Sequence, residues 1–143
     1  MNHMTYTEDN LAIIVSLFRL YSKIFTHIRK EYLKESLIKG RCIYEDNVLI
    51  IYTTYKRDNR IGNYTAKRGS VTINQIVNKV PGNGSAVAVM QRFISFINTD
   101  ICLSVRQDNE RAIAFYKKMK FIECGKTFWK EGSIPGLVFL YCK

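Results

Sequence analysis

The segment between residues 70 and 105 restricts the possible folds more than any other. It begins with an alternating run, VTINQIVNKV, in which Val71, Ile73 and Val77 fall on one face of a strand. A loop with two glycines follows, then the apolar run SAVAVMQRFISFI, which lacks Gly and Pro, and then the short apolar run ICLSV. Strand, helix and strand in this order predict two parallel strands joined by a right-handed crossover.

The other segments predict elements that need not be parallel. We expect a helix through LAIIVSLFRLYSKIF with Asn10 as its cap, and a second through HIRKEYLKESLIKG that ends at Gly40. RCIYEDNVLIIYTTYKRDN predicts a hairpin with a tight turn at residues 45–47, RDNRIGNYTAKRG a polar loop, and FIECGKTFW and GLVFLYCK two closing strands. The predicted fold class is α/β (α+β), with a mixed, mostly antiparallel sheet of about six to seven strands, a central parallel strand–helix–strand unit and about four flanking helices. A Rossmann unit is disfavoured, because the third glycine and the acidic ribose ligand of its fingerprint are missing.

Length and charge limit the class of protein and its partners. With 143 residues, 47% of them hydrophobic, the chain predicts one domain spanning residues 1–143. The net charge of +10 favours an anionic partner such as nucleic acid. However, residues 1–71 carry 12 basic and 7 acidic side chains and residues 72–143 carry 10 and 5, so the charge is not gathered in a basic tail. A generally basic, solvated surface remains an alternative.

The cysteines and the first apolar run exclude several other classes. Four cysteines without a CxxC pair, together with only two histidines, predict no metal site and no thiol nucleophile; they are typical of small buried side chains in a reducing compartment. The first apolar run is interrupted by Arg19 and is too short to cross a bilayer, and no basic segment precedes it. We therefore expect a cytoplasmic protein without a membrane partner, either a monomer or a homodimer.

Two constellations carry candidate chemistry. Gly82 and Gly84, placed between a strand and a helix N-terminus, predict either a cradle of backbone N–H groups for an anion or a turn that needs positive φ. In DNERAIAFYKKM, a helix beginning at residue 108 or 109 places Asn109 and Tyr116 on one face, two turns apart. The phenol of Tyr116 could protonate a departing thiolate, or its ring could pack in the core with the hydroxyl at the edge.

These two motifs, in this order, resemble the GNAT-superfamily N-acetyltransferases, as a divergent member. KVPGNG at residues 79–84 resembles the family's Q/R-x-x-G-x-G/A loop, and LSVRQDNERAIAFYKKMKF resembles its strand followed by N-x-x-A-x-x-x-Y-x-x-x-G-F. The resemblance covers roughly residues 45–143, and it implies a GNAT-like fold and direct transfer of an acetyl group from acetyl-CoA to an amine acceptor in a ternary complex.

The resemblance also implies roles for individual residues. Backbone amides of the glycine loop would hold the pyrophosphate of acetyl-CoA, Asn109 would contact the cofactor, and Tyr116 would act as general acid. Strand 71–80 would separate from strand 101–105 to admit the pantetheine arm. The residues expected to contact the cofactor are Lys79, Val80, Gly82, Asn83, Gly84, Ser85, Ala86 and Asn109.

The chain departs from the family pattern at three points. Lys79 replaces the usual Arg or Gln, and Lys120 stands where a glycine with left-handed backbone is usual. The strand before the loop contains no Asp or Glu, so the general base is not assigned. Asn74, Gln75, Asn78 and Ser104 could orient a water, or Glu45 or Asp46 could reach the site from the hairpin. The missing carboxylate keeps a second function open, that of a non-catalytic GNAT-fold module that binds nucleic acid or protein. The five cations of residues 56–68 would favour an acceptor borne on nucleic acid or on an acidic protein; an exposed basic loop unrelated to the substrate is the alternative.

Overall fold

The computed structural model describes residues 1–25, 27–129 and 132–143. The helices are α1 Glu8–Leu20, α2 Lys30–Ile38, α3 Ser85–Phe96 and α4 Glu110–Lys118. The strands are β1 Cys42–Glu45, β2 Val48–Thr54, β3 Asn59–Ile61, β4 Tyr64–Ala66, β5 Val71–Asn78, β6 Ile101–Arg106, β7 Ile122–Trp129 and β8 Ile134–Tyr141. No helix in these ranges combines the length and the apolar character needed to cross a membrane.

The main sheet has six strands in the order β1-β2-β5-β6-β8-β7. β5 and β6 are parallel, as the strand–helix–strand segment predicts, whereas β1 with β2, β6 with β8 and β7 with β8 are antiparallel. The predicted mixed sheet with a central parallel pair is therefore confirmed. β3 and β4 form a separate two-stranded sheet.

The chain divides into two compact units that are interleaved in sequence. The first comprises Met1–Tyr52 and Asn74–Arg92, and the second Thr53–Ile73 and Phe93–Lys143. In the first unit, apolar side chains of α1 and α2 are buried together with side chains from β1, β2 and β5. Burial of this kind is the main favourable term in folding, at about 25 cal/mol per Å² of apolar surface. The members of this core are Leu11, Ile14, Leu17, Phe18, Leu33, Leu37, Cys42, Leu49, Ile51 and Val77.

The second unit has its own buried side chains, contributed by β5, β6, β8 and the helices α3 and α4. Phe93, Val138 and Phe139 are fully buried there. β8 pairs on both sides, with β6 from Ile101↔Tyr141 to Arg106↔Gly136 and with β7 along its whole length. Leu137, Val138 and Phe139 are consecutive and all buried, so both faces of β8 are covered, which accounts for its apolar run.

Two expectations about local structure are wrong. α1 begins at Glu8, because Thr7 is its N-cap and accepts a hydrogen bond from the N–H of Asn10 at 3.0 Å; Asn10 itself lies in the first turn. The segment 57–69 is not a plain loop, because it contains β3 and β4. The turn between them is held against β7 by two hydrogen bonds, Asn63 N–H to Lys126 O at 3.1 Å and Lys126 N–H to Asn63 Oδ1 at 2.7 Å.

Candidate functional site

The glycine loop joins β5 to α3 within the first unit. Gly82 and Gly84 have φ of +87° and +80°, the left-handed region that side chains with a Cβ rarely adopt. A Cβ atom placed on either glycine would meet nothing within 4 Å. The backbone conformation, and not crowding by a neighbour, is therefore what requires glycine here. The open side of both residues also leaves room for a ligand to approach the main chain.

Several backbone N–H groups in and after this loop have no acceptor among the described residues. The N–H of Ser85, the first residue of α3, donates to Oδ1 of Asn83 at 3.0 Å, and the N–H of Ala88 makes the first helical bond, to Gly84 O at 3.2 Å. No described residue accepts a hydrogen bond from the N–H groups of Gly82, Asn83, Gly84, Ala86 and Val87. The first turn of α3 also lacks an acidic side chain. Unbonded amides at the positive end of a helix dipole form an anion-binding site.

The chain just before the loop is fixed by three hydrogen bonds. Lys79 N–H donates to Asn47 O at 2.8 Å, and Val80 N–H donates to Oδ1 of Asn78 at 3.1 Å. The hydroxyl of Tyr21, at the end of α1, donates to Asn78 O at 2.5 Å. The amides of Lys79, Val80 and Ser85 are thus engaged within the protein, whereas the amide of Val87, which the sequence reasoning did not include, has no described acceptor.

Asn109 lies in the second unit as the N-cap of α4. Its Oδ1 accepts a hydrogen bond from Ala112 N–H at 3.1 Å, which satisfies one of the four unbonded amides of the first turn. The side-chain Nδ2 group donates to no described residue and is available to a ligand. The capping role explains the exposed position of Asn109 at the start of the helix.

Tyr116 is the buried residue of α4, and only 7% of it is exposed. Its ring packs against Phe121 and Phe139, with centroid distances of 5.8 and 6.3 Å. Burial raises the pKa of Tyr116 to about 12, so the phenol is protonated at neutral pH. In the described residues no fully buried side-chain N or O atom lacks a hydrogen-bond partner, and the Tyr116 hydroxyl bonds to no described residue. The ring of Tyr116 packs in the core, and its phenol keeps the proton that a general acid would donate.

The end of α4 contains the left-handed residue that the family pattern predicts. Lys120 has φ of +71°, and its N–H donates to Lys117 O while Phe121 N–H donates to Tyr116 O, both at 3.0 Å. These two bonds form a Schellman motif. Lysine thus occupies a position that glycine fills at lower cost.

The carboxylates of the β1–β2 hairpin, which the sequence offers as general bases, are paired with a cation. Glu45 Oε1 and Asp46 Oδ2 accept hydrogen bonds from the guanidinium of Arg92 in α3, at 3.2 and 2.8 Å. Hydrogen bonding to Asp46 raises the pKa of Arg92, so this cation remains charged.

Among the thiols, burial raises the pKa of Cys42 to about 12, which disfavours a thiolate. In the described part of the chain, no group of three or more His, Cys, Asp or Glu residues is placed to hold a metal ion.

A cavity of about 410 Å³ lies in the second unit, at the carboxyl end of β6. Its wall includes Arg106 and Asp108, which form a two-point ion pair at 3.0 and 2.9 Å, and this pair lowers the pKa of Asp108. Gln107 N–H donates to Pro135 O at 3.0 Å and ties this end of β6 to β8. The sequence reasoning did not identify this cavity, because it depends on the pairing of strands distant in sequence.

Comparison with known proteins identifies the class of fold. No protein-family model matches the sequence, and no curated protein is similar to it. Solved structures do match: the chain has the fold of the GNAT-family N-acetyltransferases, which confirms the fold that the resemblance implies.

Three of these structures show how far the similarity extends. Arabidopsis thaliana NAA60 in complex with acetyl-CoA superposes with a TM-score of 0.70 at 16% identity, covering 99% of this chain and 98% of that one. A GNAT-family acetyltransferase from Bacillus cereus gives 0.67 at 21% identity, covering 99% and 96%. Ard1 from Thermoplasma volcanium gives 0.69 at 17% identity, covering 96% and 94%. At these identities the match concerns the fold, and it extends over the whole length of each chain.

Proposed function

We propose that residues 1–143 act as a single acetyl-CoA-dependent N-acetyltransferase domain that transfers an acetyl group directly to an amine. One observation carries the proposal: five backbone N–H groups without a described acceptor lie in and just after a glycine loop that opens α3. They fit the charge of a pyrophosphate. The fold supports the same function, since NAA60 with this fold was solved in complex with acetyl-CoA.

Each residue expected to contact acetyl-CoA would do so through the groups that are not already bonded within the protein. The amides of Gly82, Asn83, Gly84, Ala86 and Val87 would donate to pyrophosphate oxygens, and the Nδ2 group of Asn109 would bind another polar part of the cofactor. Lys79 and Val80 would contribute side-chain or carbonyl contacts only, because their N–H groups are already bonded. Ser85 would contribute its hydroxyl for the same reason.

The proposed transfer requires no acyl-enzyme. The amine nitrogen forms a bond to the acetyl carbon, the carbon–sulfur bond breaks, and Tyr116 gives its phenolic proton to the sulfur as the thiolate leaves. The phenol of Tyr116 holds its proton throughout the neutral range, as a general acid must, although the raised pKa makes it a weaker acid than an exposed tyrosine. The nitrogen loses its own proton to solvent, since Glu45 and Asp46 are paired with Arg92. Regeneration of Tyr116 from water completes the cycle.

The acceptor amine is proposed to be borne on an anionic carrier, with nucleic acid as the leading candidate. The β3–β4 segment supports this class, because five exposed cations there form no ion pair with a described residue. The one acidic residue of the segment, Asp58, accepts a hydrogen bond from Arg68 N–H at 2.8 Å. The cations are Lys56, Arg57, Arg60, Lys67 and Arg68. A peptide acceptor is the competing class, since Arabidopsis thaliana Naa50 was solved with a peptide bisubstrate analogue.

Acetyl-CoA turnover against separate pools of small amines, peptides, tRNA and DNA tests this function. The expected result is release of free CoA thiol that depends on one pool, with a tRNA or DNA pool losing activity as salt rises. Turnover with peptides alone would replace the nucleic-acid class with a peptide class. CoA binding without turnover on any pool would support the alternative function, a non-catalytic binding module for nucleic acid or protein, which the absence of Asp and Glu from the sequence of β5 favours.

A matched glycine pair provides the control for the loop. Gly84→Ala and Gly40→Ala both place a Cβ at left-handed φ, +80° and +67°, with nothing within 4 Å. Both should destabilise the fold by about 1 kcal/mol. Only Gly84→Ala should weaken CoA binding, because Gly40 ends α2 and takes no part in the loop.

A further inference from the structure

The turn between β1 and β2 contacts the chain on both sides of the glycine loop. Asp46 and Asn47 both have positive φ, +48° and +65°, as a two-residue type I′ turn requires, and Glu45 pairs with Val48 to close the hairpin. On the β5 side of the loop, Asn47 O accepts a hydrogen bond from Lys79 N–H at 2.8 Å. One tight turn thus fixes the residue from which the loop starts.

On the α3 side, the same turn holds the helix through Arg92. The guanidinium donates from Nε to Glu45 and from Nη2 to Asp46, so two carboxylates from adjacent turn positions bind one cation. Arg92 lies seven residues after Ser85, two helical turns into α3. Its planar group with fixed donors suits this two-point contact better than an ammonium would.

We propose that Arg92, acting through the Asp46–Asn47 turn, is a positioning residue for the pyrophosphate-binding amides. This inference rests on the function proposed above. Two glycines give the loop more conformations than other residues would, and each extra conformation in the free protein lowers the affinity for a ligand that needs one arrangement of the amides. The turn is bonded to the chain on both sides of the loop, so it fixes both ends of the loop. Fixed ends reduce the number of conformations that the loop can adopt.

The effect is expected on affinity and loop order, and not on global stability. We call the contact of Arg92 with Glu45 and Asp46 the clamp. Its three side chains are substantially exposed, with 44% for Arg92, 30% for Glu45 and 64% for Asp46, and exposed ion pairs contribute little to the free energy of unfolding. Loss of the clamp should therefore leave the protein folded. The dissociation constant for CoA and the KM for acetyl-CoA should rise about three- to tenfold, while kcat at saturating acetyl-CoA stays within about twofold.

The test compares four variants with the parent protein. Arg92→Gln removes the clamp, Arg92→Lys keeps a charge that reaches one carboxylate and should restore part of the affinity, and Lys39→Gln removes the exposed Lys39–Glu35 pair of α2 as a matched control. CoA titration is paired with amide hydrogen exchange in the CoA-free protein at two bonded amides that flank the loop, Lys79 and Ala88. The double variant Glu45→Gln/Asp46→Asn removes both carboxylates that bind Arg92. Asparagine at position 46 still adopts the positive φ that the turn requires.

The expected result is faster exchange of the Lys79 and Ala88 amides and weaker CoA binding in Arg92→Gln and in the double variant, with Lys39→Gln like the parent. Exchange and CoA affinity unchanged by Arg92→Gln would overturn the inference. A parent protein that binds no CoA would refute the proposed function instead; the exchange data alone would then decide whether the turn orders the loop.

Discussion

Oδ1 of Asn83 accepts a hydrogen bond from the N–H of Ser85 at 3.0 Å, so an uncharged side chain bonds the first residue of α3, beside five amides that have no described acceptor. Aspartate can accept the same hydrogen bond as asparagine and interacts more favourably with the helix dipole. It would also place a negative charge beside the bound pyrophosphate.

Asn83→Asp should therefore lower the affinity for CoA without lowering the stability of the fold. We expect an unchanged or slightly higher melting temperature, and CoA affinity lower by about tenfold, since a like charge within a few ångströms costs on the order of 1 kcal/mol even in a solvated site. Calorimetric titration and thermal unfolding measure the two effects. Thr7→Asp is the control, because it makes the same type of change at the N-cap of α1 and should leave CoA affinity alone. Equal CoA affinity in Asn83→Asp and the parent would count against the loop as the pyrophosphate site.

Tyr116→Phe should reduce turnover without reducing CoA affinity. The ring contacts with Phe121 and Phe139 are kept, and only the hydroxyl is lost, so the fold should be preserved. Loss of a general acid typically costs about 10²- to 10⁴-fold in rate. Steady-state turnover and CoA titration on the same preparation give the comparison. Tyr6→Phe is the control, since Tyr6 is partly buried and its hydroxyl donates to Glu8. Full turnover in Tyr116→Phe would remove this residue from the mechanism.

The raised pKa of Tyr116 predicts how stability depends on alkaline pH. The folded state favours the neutral phenol, so its contribution is fully present below the usual pKa of about 10 and is lost as pH rises toward the folded value of about 12. The free energy of unfolding should fall in that interval, and less steeply in Tyr116→Phe. Urea titrations at pH 9, 10 and 11, values chosen to span about one unit on each side of that usual pKa, measure the slope. Parallel slopes for the two proteins would mean that the hydroxyl is not shielded from water.

Lys120→Gly should stabilise the protein. Lys120 occupies the left-handed position of a Schellman motif, where a non-glycine residue costs about 1 kcal/mol relative to glycine. Gly40, at φ of +67°, ends α2 with the same pair of bonds, Gly40 N–H to Leu37 O and Arg41 N–H to Ser36 O. Gly40→Lys is thus the reverse substitution and should destabilise by a similar amount. Urea unfolding measures both, and a loss of stability in Lys120→Gly would contradict the strain argument.

The sequence predicts the parts of this fold that depend on local rules. Gly40 ends α2, residues 45–47 make the hairpin turn, and Lys120 has the left-handed backbone expected of the glycine it replaces. Each follows from the conformations that one residue and its neighbours in sequence can adopt.

Features that depend on distant partners could not be predicted in this way. β3 and β4 are short and mostly exposed, and Asn63 fixes their turn through bonds to Lys126 in β7. The ion pairs of Arg92 join residues more than 40 positions apart. Nothing local distinguishes Arg92 from other surface cations. That the amide of Val87 has no described acceptor is known only once Asn83 is seen to accept from Ser85 and not from Val87. The start of α1 is a different case: Thr7 and Asn10 are both good caps, and the acidic pair Glu8 and Asp9 suits a first turn that begins at the earlier one.

Binding of CoA compared with pantetheine, which lacks the pyrophosphate, tests the central claim most directly. In titrations of the parent protein we expect CoA to bind and pantetheine to bind at least about tenfold more weakly, because the unbonded amides of the loop at residues 82–87 lose their partner. Gly84→Ala should reduce that difference. Failure of the parent protein to bind CoA, or equal affinity for the two compounds, would contradict the account.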